Sequence, residues 1–150
     1  MVIEQHKSLL PYNSFHIDVM ADQFVSVSDG DQLREALQKD PGNSASILGG
    51  GSNILFTKNV KGLVLKPDIR GIDLIKENES HVYVRAGAGE NWHSFVLYTI
   101  GRNWGGLENF SLIPSNDWAA QIQDIGANGV ELKDSFDELE VYDRNHQKVD

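Results

Sequence analysis

A mixed fold of short strands and helices is what this 150-residue sequence predicts, and three observations predict it. Short β-branched runs alternate with two stretches of helical spacing. Clusters of Gly, Asn, Asp and Pro separate them. The composition, 40% hydrophobic and 23% charged with three Trp, six Phe and four Tyr, is that of an ordered globular chain. A chain of this length buries about 70% of its unfolded surface and so forms a real core.

The elements follow in order. Phe24, Val25 and Val27 read as a strand. Ser28-Asp29-Gly30-Asp31 then offers capping side chains to a helix with Leu33, Ala36 and Leu37 on one face, predicted to stop near Pro41-Gly42. Residues 45–48 form a short apolar strand entering Gly49-Gly50-Gly51-Ser52-Asn53, after which Ile54-Leu55-Phe56 reads as a strand or turn. Leu63-Val64-Leu65, then Ile72, Leu74 and Ile75, then Val82, Val84 and Ala86 are three further strands, predicted to form a meander after the glycine loop. Trp92, Phe95, Val96, Thr99 and Ile100 fall at i, i+3, i+4, i+7 and i+8, one apolar stripe of a helix that Gly101 ends. Trp92 and Phe95 therefore read as core. Residues 104–129 lack periodicity, which in a compact domain points to a functional segment. Leu139, Val141 and Tyr142 read as a strand, Asp143-Arg144-Asn145-His146 as a turn, and Val149 as the start of a returning strand. The chain is expected to be cut there and to leave an open sheet edge.

Charge and composition exclude several classes. A formal net charge of −9, with no Lys/Arg run, makes nucleic acid and anionic membranes poor partners. It does not exclude a nucleotide cofactor, because backbone N–H groups bind phosphate through oriented dipoles. The absence of cysteine removes disulfides, thiolate metal sites and thiol nucleophiles, and fits a reducing compartment. No stretch reads as a signal peptide or approaches the ~20 apolar residues of a membrane span. A soluble, cytoplasmic chain is expected.

The glycine run is the strongest chemical feature. Three glycines let the backbone take positive φ and approach a ligand, and Ser52 and Asn53 add hydrogen-bonding groups suited to a pyrophosphate. On composition alone, a turn without chemistry remains an equal reading. Other motifs fail residue by residue. Gly87-Ala88-Gly89-Glu90-Asn91-Trp92 has Trp92 where a dinucleotide fingerprint needs its third glycine, and Asn53-Ile54-Leu55 follows the glycine run where a P-loop needs Gly-Lys-Ser/Thr. His6, His16, His81, His93 and His146 are scattered, so no metal site is expected. Glu108-Asn109 is read as a helix cap before a site pair, and no nucleophile with its base is visible.

Four segments, in order, carry a family resemblance: Leu10-Pro11-Tyr12-Asn13-Ser14-Phe15; Ile47-Leu48 through the glycine run to Ile54-Leu55; Ala86-Gly87-Ala88-Gly89-Glu90-Asn91-Trp92; and Gly106-Leu107-Glu108-Asn109-Phe110-Ser111-Leu112-Ile113-Pro114, leading to Ile122-Gln123-Asp124-Ile125-Gly126-Ala127-Asn128-Gly129-Val130-Glu131. Together they resemble the UDP-N-acetylenolpyruvoylglucosamine reductases, and specifically their N-terminal FAD-binding portion. That resemblance implies the α+β FAD-binding fold of the vanillyl-alcohol oxidase and p-cresol methylhydroxylase type, with FAD held between two α+β subdomains. These would be residues 1–58 and residues 59–150, the second incomplete at its C-terminus and the substrate-binding domain absent. It also implies that Gly49, Gly50, Gly51, Ser52 and Asn53 bind the pyrophosphate, and that Ile113, Ala119, Ala120, Ile122, Gln123, Ile125 and Gly126 line the rest of the cofactor.

The implied reaction passes hydride from NADPH through FAD to the enolpyruvyl double bond of a nucleotide sugar, in peptidoglycan synthesis. The family's catalytic arginine, serine and glutamate match no position up to Asp150, so this chain alone is expected to be inactive. The chain departs from the family pattern in one cluster. Ser115 and Trp118 stand for glycines, Asp117 for valine, Gln121 for proline, Asp124 for asparagine and Asn128 for tyrosine, six exchanges within fourteen positions. His16 stands for another glycine. A bulky ring and added negative charge beside an anionic cofactor predict weakened or lost FAD binding, and the clustering suggests relaxed selection or deliberate redesign, giving a cofactor-free scaffold as the alternative.

Overall fold

The structure is a computed structural model that describes residues 1–40, 42, 44–113, 126–127, 130–142 and 148–149. It has two compact units, Met1–Asp68 with Glu138–Asp150, and Ile69–Asp137.

The first unit is built on a four-stranded sheet of β1 (Glu4–Ser8), β2 (Met20–Val27), β3 (Ser46–Ile47) and β4 (Val60–Pro67), in the order β1-β2-β4-β3. β1 runs antiparallel to β2, while β4 runs parallel to both β2 and β3. Alternation along the strands supplies two buried faces. Phe24 and Val64 pack with Leu9, Val19, Ala21 and Leu48 on one; Val25, Val27, Leu63 and Leu65 pack with Ala36 and Ala45 on the other.

Ala36 belongs to α1 (Gly30–Gln38), whose partly buried Leu33 and Leu37 complete the stripe on that face. The predicted cap forms: Asp29 Oδ1 accepts from Gln32 N at 2.8 Å, and Gln32 Oε1 accepts in return from Ser28 N at 3.3 Å. The helix ends at Gln38, short of Pro41, as Lys39 N closes a tight last turn on Ala36 O at 3.1 Å. Asp29→Ala is expected to lower stability by about 1 kcal/mol, read as a fall in the urea midpoint with unchanged slope. An unchanged midpoint would show that the cap contributes nothing.

Two expectations are corrected here. The strand at Leu63-Val64-Leu65 does not open a meander; it inserts between β2 and β3. Parallel pairing of this kind joins strands distant in sequence and leaves no local signature. Nor is Ile54-Leu55-Phe56 a strand: Ile54 and Phe56 lean on the Phe24 face from an irregular segment, and Leu55 is exposed.

In the second unit, β5 (Ile72–Glu77) and β6 (Val82–Ala86) form an antiparallel hairpin. Asn78 Oδ1 sets its turn by accepting from Ser80 N at 3.0 Å and His81 N at 2.8 Å. The helix α2 (Trp92–Ile100) follows, capped by Asn91 Oδ1 on Ser94 N at 3.0 Å and ended at Gly101 as predicted. Trp92, Phe95, Val96 and Thr99 are buried. Ile100, expected on the same stripe, is 43% exposed. The core closes with Phe110, from a 3-10 turn at Glu108–Phe110, and with Leu132. Short antiparallel pairs complete the described chain: β7 (Gly126–Ala127) with β8 (Val130–Glu131) in this unit, and β9 (Val141–Tyr142) with β10 (Lys148–Val149) in the first. The last pair includes the predicted returning strand at Val149; the turn at residues 143–146 lies outside the described residues.

Candidate functional site

The glycine loop starts where β3 leaves the sheet. Leu48 N donates to Leu65 O at 2.9 Å, so sheet pairing carries to the residue before Gly49. Gly51 is buried with φ 70, in the left-handed region, and a Cβ there would overlap the Tyr12 carbonyl and come 2.9 Å from Asn13 Cα. Glycine is required on both counts.

The loop's carbonyls are turned inward. Gly51 O accepts from Ser14 N at 3.0 Å and Ser14 Oγ at 3.3 Å, and Gly49 O accepts from Lys66 Nζ at 3.4 Å. Among the described residues no carbonyl accepts from the amides of Gly50, Gly51 or Asn53. Fixed carbonyls and uncommitted amides in one glycine turn are what an anion nest requires, so this loop fits a phosphate-bearing group.

The platform beneath it is the segment from Leu9 to Ile17. Asn13, buried, donates from Nδ2 to Leu9 O at 2.8 Å and Ile17 O at 3.0 Å, and accepts at Oδ1 from Ile17 N at 3.0 Å. Tyr12 stacks on Phe24 with ring centroids 4.8 Å apart. Tyr12, Asn13, Ser14 and Lys66 thus shape the loop, yet nothing in the residue pattern singled them out; only the resemblance at residues 10–15 touched three of them. His16, expected from the resemblance to stand for a glycine, has φ 51, in the left-handed region that favours glycine.

The second glycine motif has a different role. Gly87 N donates to Gly71 O and Gly89 N to Ile69 O, both at 2.8 Å, and Glu90 Oε1 accepts from Gly71 N at 2.8 Å. A Cβ on Gly87 would overlap the Ile69 carbonyl. These amides hold the turn against residues 69–71.

Of the other predicted cofactor contacts, Ile113 packs partly buried against the Trp92 cluster, and Gly126 opens β7. Ala119, Ala120, Ile122, Gln123 and Ile125 lie outside the described residues, as do the exchanged positions 115, 117, 118, 121, 124 and 128. His93 holds the turn before Ile113: its Nδ1 accepts from Leu112 N at 3.1 Å and lies 3.1 Å from Ser111 Oγ. Glu108 binds locally, Oε2 accepting from Gly106 N at 2.6 Å, and the amides of Glu108 itself and then Gly106 hold its carboxyl below the usual carboxylate range. Among the described residues no cluster of three metal-ligating side chains occurs.

The family described as FAD binding domain matches residues 21–147. This chain belongs to that family. The chain is 46% identical over 136 residues to the UDP-N-acetylenolpyruvoylglucosamine reductase of Flavobacterium johnsoniae, covering 91% of this chain and 40% of that protein. It is 43% identical over 143 residues to the same-named reductase of Pseudomonas putida, covering 94% of this chain and 42% of that protein. The chain thus spans about two fifths of the length of these curated relatives. The crystal structure of the UDP-N-acetylenolpyruvylglucosamine reductase of Thermus caldophilus superposes with a TM-score of 0.78 at 20% identity, covering 99% of this chain and 52% of that one. At that identity the superposition speaks for the fold, and it agrees with the α+β FAD-binding class expected.

Proposed function

We propose that this chain is the FAD-binding part of a UDP-N-acetylenolpyruvoylglucosamine reductase, which uses NADPH to reduce UDP-N-acetylglucosamine enolpyruvate to UDP-N-acetylmuramate in peptidoglycan synthesis in the cytoplasm. The observation that carries the reading is the loop of Gly49, Gly50, Gly51, Ser52 and Asn53, with carbonyls held by Ser14 and Lys66 and with the amides of Gly50, Gly51 and Asn53 donating to no carbonyl among the described residues. Identity above 40% to reductases of that name supports it. Ile113, Ala119, Ala120, Ile122, Gln123, Ile125 and Gly126 are assigned to the rest of the cofactor. FAD, when bound, supplies the hydride relay; the chain's own residues bind and orient it. None of the 150 residues is assigned a catalytic role, and the nucleotide-sugar substrate belongs to a further domain. Among the described residues no helix is long and apolar enough to cross a membrane.

The exchanges between Ser115 and Asn128 favour a second reading, a cofactor-free scaffold on the same fold. Titrating purified protein with FAD and following visible absorbance decides between them. Saturable binding of one FAD per chain is expected; its absence would leave the scaffold reading.

A further inference from the structure

Adjacent residues at the start of α2 grip the turn at residues 110–112. Trp92 Nε1 donates to Phe110 O at 3.0 Å, and His93 Nδ1 accepts from Leu112 N at 3.1 Å. A backbone N–H can only donate, so Nδ1 carries no proton and the ring's own proton sits on Nε2. Ser111 Oγ, 3.1 Å from the same nitrogen, is a second donor within its reach.

Leu112 is the residue held, and its conformation is a strained one. Its φ of 65 lies in the left-handed region, which disfavours a side chain. That side chain is 77% exposed, and no core cluster of the described residues includes it, so burial does not offset the strain. Strain of this kind persists where surrounding bonds impose it, and His93 supplies the bond at the Leu112 amide. The next residue, Ile113, is partly buried against the Trp92 cluster and is the first of those assigned to the cofactor beyond its diphosphate. The φ of Leu112 therefore sets the direction of the chain at Ile113.

We propose that His93 is a positioning residue for the cofactor: its unprotonated Nδ1 holds Leu112 in the left-handed conformation and so fixes Ile113 for the flavin part of FAD. This rests on the reading of residues 49–53 as the diphosphate site and of Ile113 as a cofactor contact.

The test titrates FAD, and separately ADP, into the full chain and its His93→Leu and His93→Asn variants, with urea unfolding of each without ligand. Loss of one hydrogen bond that orders the site corresponds to about tenfold in affinity. His93→Leu, which has no acceptor, is therefore expected to weaken FAD by about tenfold and to leave ADP unchanged, because ADP lacks the flavin. His93→Asn keeps an acceptor oxygen near the Nδ1 position and is expected to restore FAD affinity toward the parent value. Should His93→Leu not fold, His93→Ala removes the acceptor without adding bulk. Where ADP alone binds too weakly to measure, FAD affinity set against the urea midpoint carries the same comparison. A lowered urea midpoint with FAD affinity unchanged, or an equal loss of FAD and ADP, would overturn the positioning role. So would a selective loss of FAD that His93→Asn fails to restore. Absence of saturable FAD binding by the parent chain itself would instead overturn the cofactor reading, and the His93 role with it.

Discussion

Gly51→Ala is expected to cost about 3 kcal/mol or more of stability and to abolish measurable FAD binding. Two independent penalties add. A side chain at φ 70 costs about 1–2 kcal/mol in the left-handed region. The new methyl group would also overlap the Tyr12 carbonyl, which has no side-chain freedom with which to move aside. Asn13 fixes that backbone through three hydrogen bonds, and Tyr12 is anchored by its ring on Phe24. The loop must therefore shift, at a cost of about 1–3 kcal/mol as in overpacked cores. Shifting it breaks the bonds from Ser14 to Gly51 O and disperses the amides. Urea unfolding and FAD titration read the two effects separately. A variant with parent stability and parent FAD affinity would refute both the close packing and the assignment of the loop. Asn13→Ala tests the platform from below: it should weaken FAD binding without touching the loop's own residues.

The contrast between the two glycine motifs shows what was legible in the sequence. Composition marked both Gly49-Gly50-Gly51 and Gly87-Ala88-Gly89, and the second lacks the third glycine of a dinucleotide fingerprint. What each loop does depends on where its amides point. At Gly87 and Gly89 they are consumed by the carbonyls of Gly71 and Ile69; at Gly50 and Asn53 no carbonyl among the described residues takes them. That outcome is set by partners 16 to 20 residues away in one case and nearly 40 in the other, beyond any local pattern. Periodicity was reliable where one element alone determines the pattern. Asp29 caps its helix, and Trp92, Phe95, Val96 and Thr99 of the expected stripe line one buried face, with Ile100 alone exposed. It failed where a second element decides. Leu63-Val64-Leu65 was readable as a strand, but its insertion between β2 and β3 was not. Lys66 was not singled out at all, because its approach to Gly49 O is made by that same insertion.

Trp92→Ala is expected to be the most destabilising single change in the second unit. The ring is 1% exposed and lies against Phe95 and Phe110, with centroids 5.8 and 6.4 Å away. Emptying such a site costs about 3–5 kcal/mol. Trp92 Nε1 also donates to Phe110 O at 3.0 Å, so the substitution leaves a buried carbonyl unsatisfied at a further cost of about 1–3 kcal/mol. A domain of this size is stable by about 5–15 kcal/mol, so the sum takes a large share of it. Trp92→Phe separates the terms: it keeps most of the apolar contact and loses the donor, and should fall near the smaller figure. Amide exchange resolves where the damage lies. The amides of α2 and β6, which pack through Trp92, Val84 and Ala86, should lose protection, whereas those of β2 and β4 belong to cores that contain no residue of the Trp92 cluster. If all lose protection equally, the chain unfolds as one cooperative body; if only α2 and β6 do, the glycine loop can remain formed while the second core melts. FAD titration of Trp92→Ala then has a definite meaning. Retained affinity would place the main binding energy on the loop of residues 49–53, and lost affinity with β2 and β4 still protected would assign it to contacts made by the second unit.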